Sequence, residues 1–291
     1  NFNKGTISSS SNYSYHTDAV VDQVIKQVMD EKGISRQLAE NYVYGSGLTI
    51  YSTVDSTIQA RVEEEYQKEK YIKAGKAKDA NGNKLNDHTE SGMAIIDYKT
   101  GNVVAIAGGL GEKQGAGWNR ATQMKKQTGS SIKMIADVAP ALEEKIITPA
   151  TVYIDEKTDF GNYTPKNDGN KYKNSTMNIR EFIALSRNIP ALKIMKELTP
   201  KKSLEYLKKM GFSSLDSNDE VLALAIGGMT HGASPLEMAA AYGTIANNGV
   251  YITPTFYTQV VDASGKVVMT PNQEEKRVFS EQTAYLAKSI N

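Results

Sequence analysis

In the stretch MKKQTGSSIKMIAD, residues 124–137, Ser130 stands directly after Gly129 and three residues before Lys133. A serine hydroxyl is a poor nucleophile until a neighbouring group takes its proton. Positions i and i+3 of a first helical turn share a face, so this spacing can set the Lys133 amine beside the Ser130 hydroxyl. The amine can accept a proton only if its pKa falls well below the usual ~10.4. Burial and the positive end of a helix both push it that way. The chemistry these residues could do is acyl transfer through a serine. The plainer reading is a helix cap followed by a solvated lysine, which the helix dipole disfavours at that end. With 22 serines and 28 lysines in 291 residues, chance supplies about two Ser-x-x-Lys pairs and the chain has one, so position and order must decide.

Other chemistries are poorly supplied. There is no cysteine, which excludes disulfides, thiolate metal sites and cysteine nucleophiles. The imidazoles are His16, His88 and His231, too scattered for a three-histidine metal site or a Ser-His-Asp triad. The net charge of +1 gives no support to a nucleic-acid partner. No apolar run is long enough to span a bilayer. The chain opens at Asn1 without an initiator methionine or signal peptide and is expected to be a mature piece or fragment.

The elements that must position these residues can be read from periodicity and punctuation. Residues 1–16 are rich in Ser, Asn and Tyr and read as a tail or linker. Thr17-Asp18 can cap a helix that Gly33 ends; a strand over 47–55 and a helix over about 56–70 follow, then a polar loop over 74–91. SGMAIIDYKTGNVVAIAGG predicts a β-hairpin turning over Tyr98–Gly101, and residues 255–270 predict a second one. Helices are predicted at 130–145, 178–185, 190–198, 201–210 and 235–247. Pro190 and Pro200 fall in first turns, Ser234-x-x-Glu237 forms a capping-box pattern, and Gly211 and Gly249 stand at helix ends. Strands, then helices, then strands indicate a mixed or α+β fold with no internal repeat.

GWNRATQMKKQTGSSIKMIADVAPALEEK (117–145) resembles the active-serine segment of the penicillin-binding proteins, and ALSRNIPALKIMKEL (184–198) resembles their second motif, Ser-x-Asn followed by Ile-Pro-Ala. GSGLTIYSTVDSTIQ (45–59) is similar to the segment that joins the glycosyltransferase and transpeptidase domains of the class A, bifunctional members. The hairpin at 91–109 and GASPLEMAAAYGTIANNGVYITP (232–254) are also similar to family segments, in the family's order. The resemblance implies an α+β penicillin-binding and serine β-lactamase-like transpeptidase fold, an antiparallel sheet flanked by helices. It assigns residues 1–46 to a tail and linker segment and 47–291 to a transpeptidase domain lacking its C-terminal part.

The same resemblance implies the site. Ser130 would be the nucleophile, Lys133 its base, Ser186 a proton relay and Asn188 a holder of Lys133 and of substrate. The activity implied is D,D-transpeptidation of peptidoglycan stem peptides and glycan strands, with β-lactams as covalent inhibitors and no metal or organic cofactor. A serine β-lactamase, a D,D-carboxypeptidase, and a non-catalytic β-lactam-sensing or peptidoglycan-binding module on the same fold stand beside it; Glu220 is the available deacylating candidate. The family's third motif, Lys-Thr-Gly, should follow Ser186, and none does. Lys99-Thr100-Gly101 precedes the nucleophile and reads as turn chemistry. The third motif is therefore expected beyond Asn291, with the rest of the domain as a partner, and residues 1–291 alone are expected to be inactive. Family context also places the domain with the cell-wall synthesis machinery at the extracytoplasmic face of the bacterial membrane, anchored upstream of Asn1. Trp118, Tyr153 and Tyr163 read as packing or groove residues, and His231 as a loop hydrogen-bonder.

Overall fold

The computed structural model describes residues 13–72, 89–113, 115, 117–161 and 163–291. The expected tail over residues 1–12, and the polar loop over 74–88 with His88, lie outside the described residues. In chain order the elements are α1 (Tyr15–Lys32), α2 (Arg36–Gly45), β1 (Thr49–Ser52), α3 (Ser56–Tyr66), β2 (Met93–Asp97) and β3 (Asn102–Ala107). After a 3-10 turn (Gly129–Ile132) and a π-helical stretch (Met134–Val138) come α4 (Ala139–Glu143), β4 (Val152–Ile154), β5 (Thr176–Asn178), α5 (Ile179–Ala184), α6 (Asn188–Leu198) and α7 (Pro200–Lys209). The chain finishes with α8 (Pro235–Ala246), β6 (Val250–Ile252), β7 (Tyr257–Val261), β8 (Val267–Met269), β9 (Glu275–Arg277) and α9 (Glu281–Ile290). No helix among the described residues is long and apolar enough to cross a membrane.

These elements form two compact units. The first is drawn from residues up to Asp97, Gly101–Met124 and Pro254–Gln273. It holds an antiparallel three-stranded sheet in the order β1-β7-β8 and the β2–β3 hairpin, so both predicted hairpins are present. Gly101 takes φ +73° where the first hairpin turns back, which a side chain resists, so Lys-Thr-Gly here is a turn. Helix α1 begins at Tyr15, inside the segment read as tail. Its cap is Ser14, whose hydroxyl accepts from Thr17 N at 3.1 Å, rather than Thr17-Asp18. The apolar stripe Val20, Val24, Ile25 and Val28 is buried, and His16 is buried with it, its Nε2 2.7 Å from the Val103 carbonyl. Burial holds the His16 imidazole below its ordinary proton affinity, so this histidine is structural.

Helix α3 stops at Tyr66 rather than Lys70, with a 3-10 turn over Glu69–Tyr71 taking up the remainder. Its buried Gln59 replaces a missing strand neighbour: Oε1 accepts from Ile106 N at 2.9 Å and Nε2 donates to Ile106 O at 3.0 Å. One side chain thereby satisfies both main-chain groups of a buried residue in β3.

The second unit comprises Tyr98–Thr100, Lys125–Thr253 and Glu274–Asn291. Antiparallel pairs β4–β5 and β6–β9 lie at its margins. Its core gathers Ile132, Met134, Ile135, Phe182, Ile189, Leu192, Leu207 and Phe279, all buried. Each such side chain contributes about 1.5–3 kcal/mol relative to exposure. The single helix predicted over 130–145 is instead three conformations in succession. The physical reason is Pro140, which has no N–H to give to the carbonyl four residues back, that of Ala136. Ser203 from α7 takes that carbonyl instead, its Oγ donating at 2.8 Å. The capping box of α8 is present, with Glu237 N donating to Ser234 Oγ and Ser234 N to Glu237 Oε2 at 2.7 Å.

Replacing Gln59 with Ala leaves the N–H and C=O of Ile106 buried without partners. The expected loss is about 2–6 kcal/mol, at about one to three for each stranded group. Urea unfolding of Gln59→Ala beside wild type reads it directly; an unchanged midpoint would show that the bridge carries no stability.

Candidate active site

The nucleophile candidate sits on a turn held from three sides. Ser130 is exposed in the 3-10 turn that Gly129 opens at φ +56°, and Lys133 N closes it onto the Ser130 carbonyl. Upstream, Lys126 and Ala233 pair as an antiparallel bridge, with N–H to C=O distances of 3.1 and 2.8 Å. Tyr242 from α8 donates its hydroxyl to the Ser131 carbonyl at 2.7 Å, and Ser131 Oγ donates to Thr128 O at 2.6 Å. Gly227, at φ +87°, lies so close that a Cβ there would overlap the Gly129 backbone. Among the described residues, no hydrogen bond is made to the Ser130 hydroxyl, while its neighbour Ser131 is engaged.

Lys133 closes the same turn. Only 2% of its surface is exposed, and its Nζ lies 2.7 Å from the Ser186 carbonyl, 2.8 Å from Asn188 Oδ1 and 3.3 Å from Ser186 Oγ. Lys133, Ser186 and Asn188 thus form one hydrogen-bonded cluster, and Ser130 is tied to it through the turn it shares with Lys133, whose amine bonds the second motif and not Ser130. Burial lowers the Lys133 pKa from 10.5 to about 8, and Asp137 acts in the opposite sense. The cause is the burial that the sequence reading named; the helix end it also named is here a 3-10 turn passing into a π-helical stretch. Asp137, four residues on, is wholly buried, and neither of its carboxyl oxygens has a hydrogen-bond partner. Burial drives its carboxyl well above the usual range against the pull of Lys133. The two groups are therefore both pressed toward neutrality, an acid and a free amine.

The second motif owes its shape to a helix end. Ser186 N donates to Ile183 O at 3.0 Å and Arg187 N to Phe182 O at 3.1 Å, the paired bonds that finish a helix through a left-handed residue. That residue is Ser186, at φ +51°, where glycine is the usual occupant and a side chain costs about 1–2 kcal/mol. The turn points both the carbonyl and the hydroxyl of Ser186 at Lys133. Helix α6 begins two residues later with Asn188, whose Nδ2 donates to Lys166 O at 2.8 Å. Its other amide N–H has no partner among the described residues and can reach a ligand.

The remaining sequence candidates fall away from this cluster or take structural parts. Tyr153 donates to Glu197 at 3.1 Å, Glu220 and Trp118 are exposed, and exposed His231 stands 3.8 Å from Asp216 rather than hydrogen-bonded. Tyr242, Gly227 and Asp137 were not singled out from the sequence. Only Asp137 left a trace there, as an acid on an otherwise apolar helical run.

The model of the family described as the penicillin binding protein transpeptidase domain matches residues 92–290. The chain belongs to this family. Among similar proteins, penicillin-binding protein 1A of Clostridium tetani is 33% identical over 290 residues, covering 94% of this chain and 36% of that protein. Penicillin-binding protein 1F of Bacillus subtilis is 35% identical over 268 residues, covering 92% and 35%. The chain thus spans about a third of the length of the curated relatives it matches. The structure of PonA1 from Mycobacterium tuberculosis in complex with penicillin V shares the fold, with a TM-score of 0.73 and 22% identity over 94% of this chain and 70% of that one. The penicillin-binding protein 1A structure from Haemophilus influenzae gives 0.67 at 20% identity, over 91% and 62%. The α+β transpeptidase fold expected from the motifs is therefore the fold of this penicillin-binding protein domain.

Two outcomes follow from the geometry. The folded chain releases the Lys133 proton near pH 8, the unfolded chain near ~10.4. Between those values the unfolded state binds the extra proton, so stability rises with pH across the window. Subtracting the urea stabilities of Lys133→Met from those of wild type at pH 7.5 and 9.5 should isolate this rise, and an equal slope in both would refute it. Gly227→Ala should cost at least about 1–3 kcal/mol from left-handed strain alone, with the overlap on the Gly129 backbone added to it, and thermal melting measures the loss.

Proposed function

We propose that this domain is a serine D,D-transpeptidase that cross-links peptidoglycan stem peptides. The observation that carries the reading is the buried Lys133 amine, tuned to about pH 8 and gripped by Ser186 and Asn188, on the turn that presents an otherwise unengaged Ser130. Two of its three contacts, the short ones, are to oxygens that can only accept; the longest is to a hydroxyl, which can also donate. A neutral amine keeps both short bonds and turns its lone pair toward hydroxyls. That is the arrangement a general base requires.

Ser130 Oγ attacks the carbonyl of the penultimate D-alanine as its proton passes to Lys133 Nζ. The new C–O bond forms, the developing oxyanion accepts from the Ser130 backbone N–H, and the C–N bond to the terminal D-alanine breaks. The departing amine takes a proton by way of Ser186 Oγ, which lies within reach of Nζ. The side-chain amine of a neighbouring stem then attacks the acyl-enzyme, losing its proton along the same route, and frees Ser130. Asn188 holds Lys133 with its carbonyl and offers its free N–H to the substrate amide. β-Lactams would acylate the same serine without being released. In this reading residues 47–291 belong to the transpeptidase domain and 1–46 to the link with a preceding domain, and the site works at the outer face of the cell membrane.

Intact mass after incubation with benzylpenicillin, on protein that includes any sequence following Asn291, is the test. One adduct on wild type and none on Ser130→Ala is expected; no adduct on a folded wild type would overturn the reading of Ser130 as a nucleophile. The acylation rate should climb with pH and level off above about 8, since only the neutral amine accepts a proton. Lys133→Ala should lower the plateau by about 10²–10⁴-fold, the usual worth of a positioned base.

A further inference from the structure

Asn188 opens α6, but the residue before it, Arg187, makes no side-chain cap. The first amides of a helix have no partner within it. Here they are capped from another part of the chain. Asn167, in the loop between β4 and β5, accepts from Asn188 N at 2.8 Å and from Ile189 N at 3.3 Å through one Oδ1. Its Nδ2 donates to Asp155 Oδ1 at 2.6 Å and to Lys171 O at 3.0 Å. Asp155 is wholly buried and its Oδ2 accepts from Lys173 N at 2.9 Å, so Asn167 is fixed at both ends. The adjacent Lys166 carbonyl receives Asn188 Nδ2 at 2.8 Å. With Nδ2 so occupied, the Asn188 amide has one orientation, in which Oδ1 faces Lys133.

Only a primary amide does what residue 167 must do, and asparagine carries it on the shorter arm. It presents an acceptor to two main-chain N–H groups and two donors to two oxygens, from a single buried plane. Aspartate would have no donor for Asp155, and alanine would supply neither end. The Ser-x-Asn motif also brings Arg187, whose Nε lies 3.7 Å from Asp155 Oδ2 and whose Nη1 donates to Lys171 O at 3.0 Å, so the middle residue of the motif closes the same loop.

We propose that Asn167 is a positioning residue of the active centre, which sets the Asn188 carbonyl on the Lys133 amine by capping α6 from the β4–β5 loop. The proposal deepens the transpeptidase reading and rests on the roles given there to Lys133 and Asn188. Removing Asn167 lets the head of α6 turn, and Lys133 loses an acceptor that favours its charged form. The titratable group that acts on Lys133 is Asp137 on its own segment; the second motif brings it only the uncharged Ser186 and Asn188, while Arg187 is turned to Asp155.

The experiment follows ε-13C-lysine and backbone 15N signals in protein that includes any sequence following Asn291, for wild type, Asn167→Ala and the smaller change Asn167→Ser, with melting curves to select folded variants. A folded variant should show faster amide exchange at Asn188 and Ile189 and a Lys133 midpoint lowered by about half a unit or more. Its β-lactam acylation rate at saturation should fall about 10–100-fold, with the half-saturating concentration little changed. A merely structural role would lower the melting temperature and leave the Lys133 midpoint in place. Wild-type amide exchange and midpoint in a folded variant would overturn the proposal. A shifted midpoint in a protein that never takes a β-lactam would leave Asn167 in its role and defeat the transpeptidase reading instead.

Discussion

A primary amine held in the interior of a protein must be either well partnered or uncharged, and the Lys133 amine is arranged to be capable of both. Three oxygens surround its nitrogen within 3.3 Å, yet burial weakens its hold on the proton. Much of the second unit can be understood as the scaffolding this compromise requires. The amine arrives from the turn behind Gly129, its acceptors from the end of α5 and the head of α6, and the acceptors are steadied by the loop after β4. The amine and its acceptors lie more than fifty residues apart in sequence, and each piece would cost free energy if it met the amine in the wrong orientation.

The turn carrying Ser130 and Lys133 is correspondingly stiff. Tyr242 grips one carbonyl, Gly227 packs against the Gly129 backbone, and the Lys126–Ala233 bridge fixes the approach. Behind it the π-helical stretch and Pro140 release a carbonyl that α7 captures through Ser203. The result is a turn whose serine is exposed and whose lysine is buried. In the proposed reaction this division lets one short segment serve both the substrate and the proton acceptor.

Much of this was legible in the sequence, and the division between what was and was not is physical. The hairpins, the α8 capping box and the Ser130–Lys133 and Ser186–Asn188 motifs are written in local signals: turn glycines, caps, short spacings. Where the deciding contact comes from far along the chain, local signals mislead. Pro140 is a local break signal that the reading of one helix over 130–145 passed over, whereas Ser203, 67 residues from the carbonyl it takes, is not legible there. Helix α5 ends through a left-handed serine where a glycine would have announced the turn. Asn167 sits in a polar loop among many asparagines, and nothing in its neighbours distinguishes the one that caps a helix 21 residues away. At the start of α1, the cap is Ser14, hidden within a run of Ser, Asn and Tyr that looked featureless.

The left-handed conformation of Ser186 has an implication for how such a site is dissected. Residue 186 addresses the amine twice, once through its hydroxyl and once, at shorter range, through its main-chain carbonyl. Side-chain replacement deletes the first and spares the second. An alanine scan therefore sees only the weaker half of what this position contributes, and glycine, which relieves the backbone strain, could leave the lysine better seated than alanine does. The motif is spelled with a side chain, but half of what it specifies is the direction of a peptide bond.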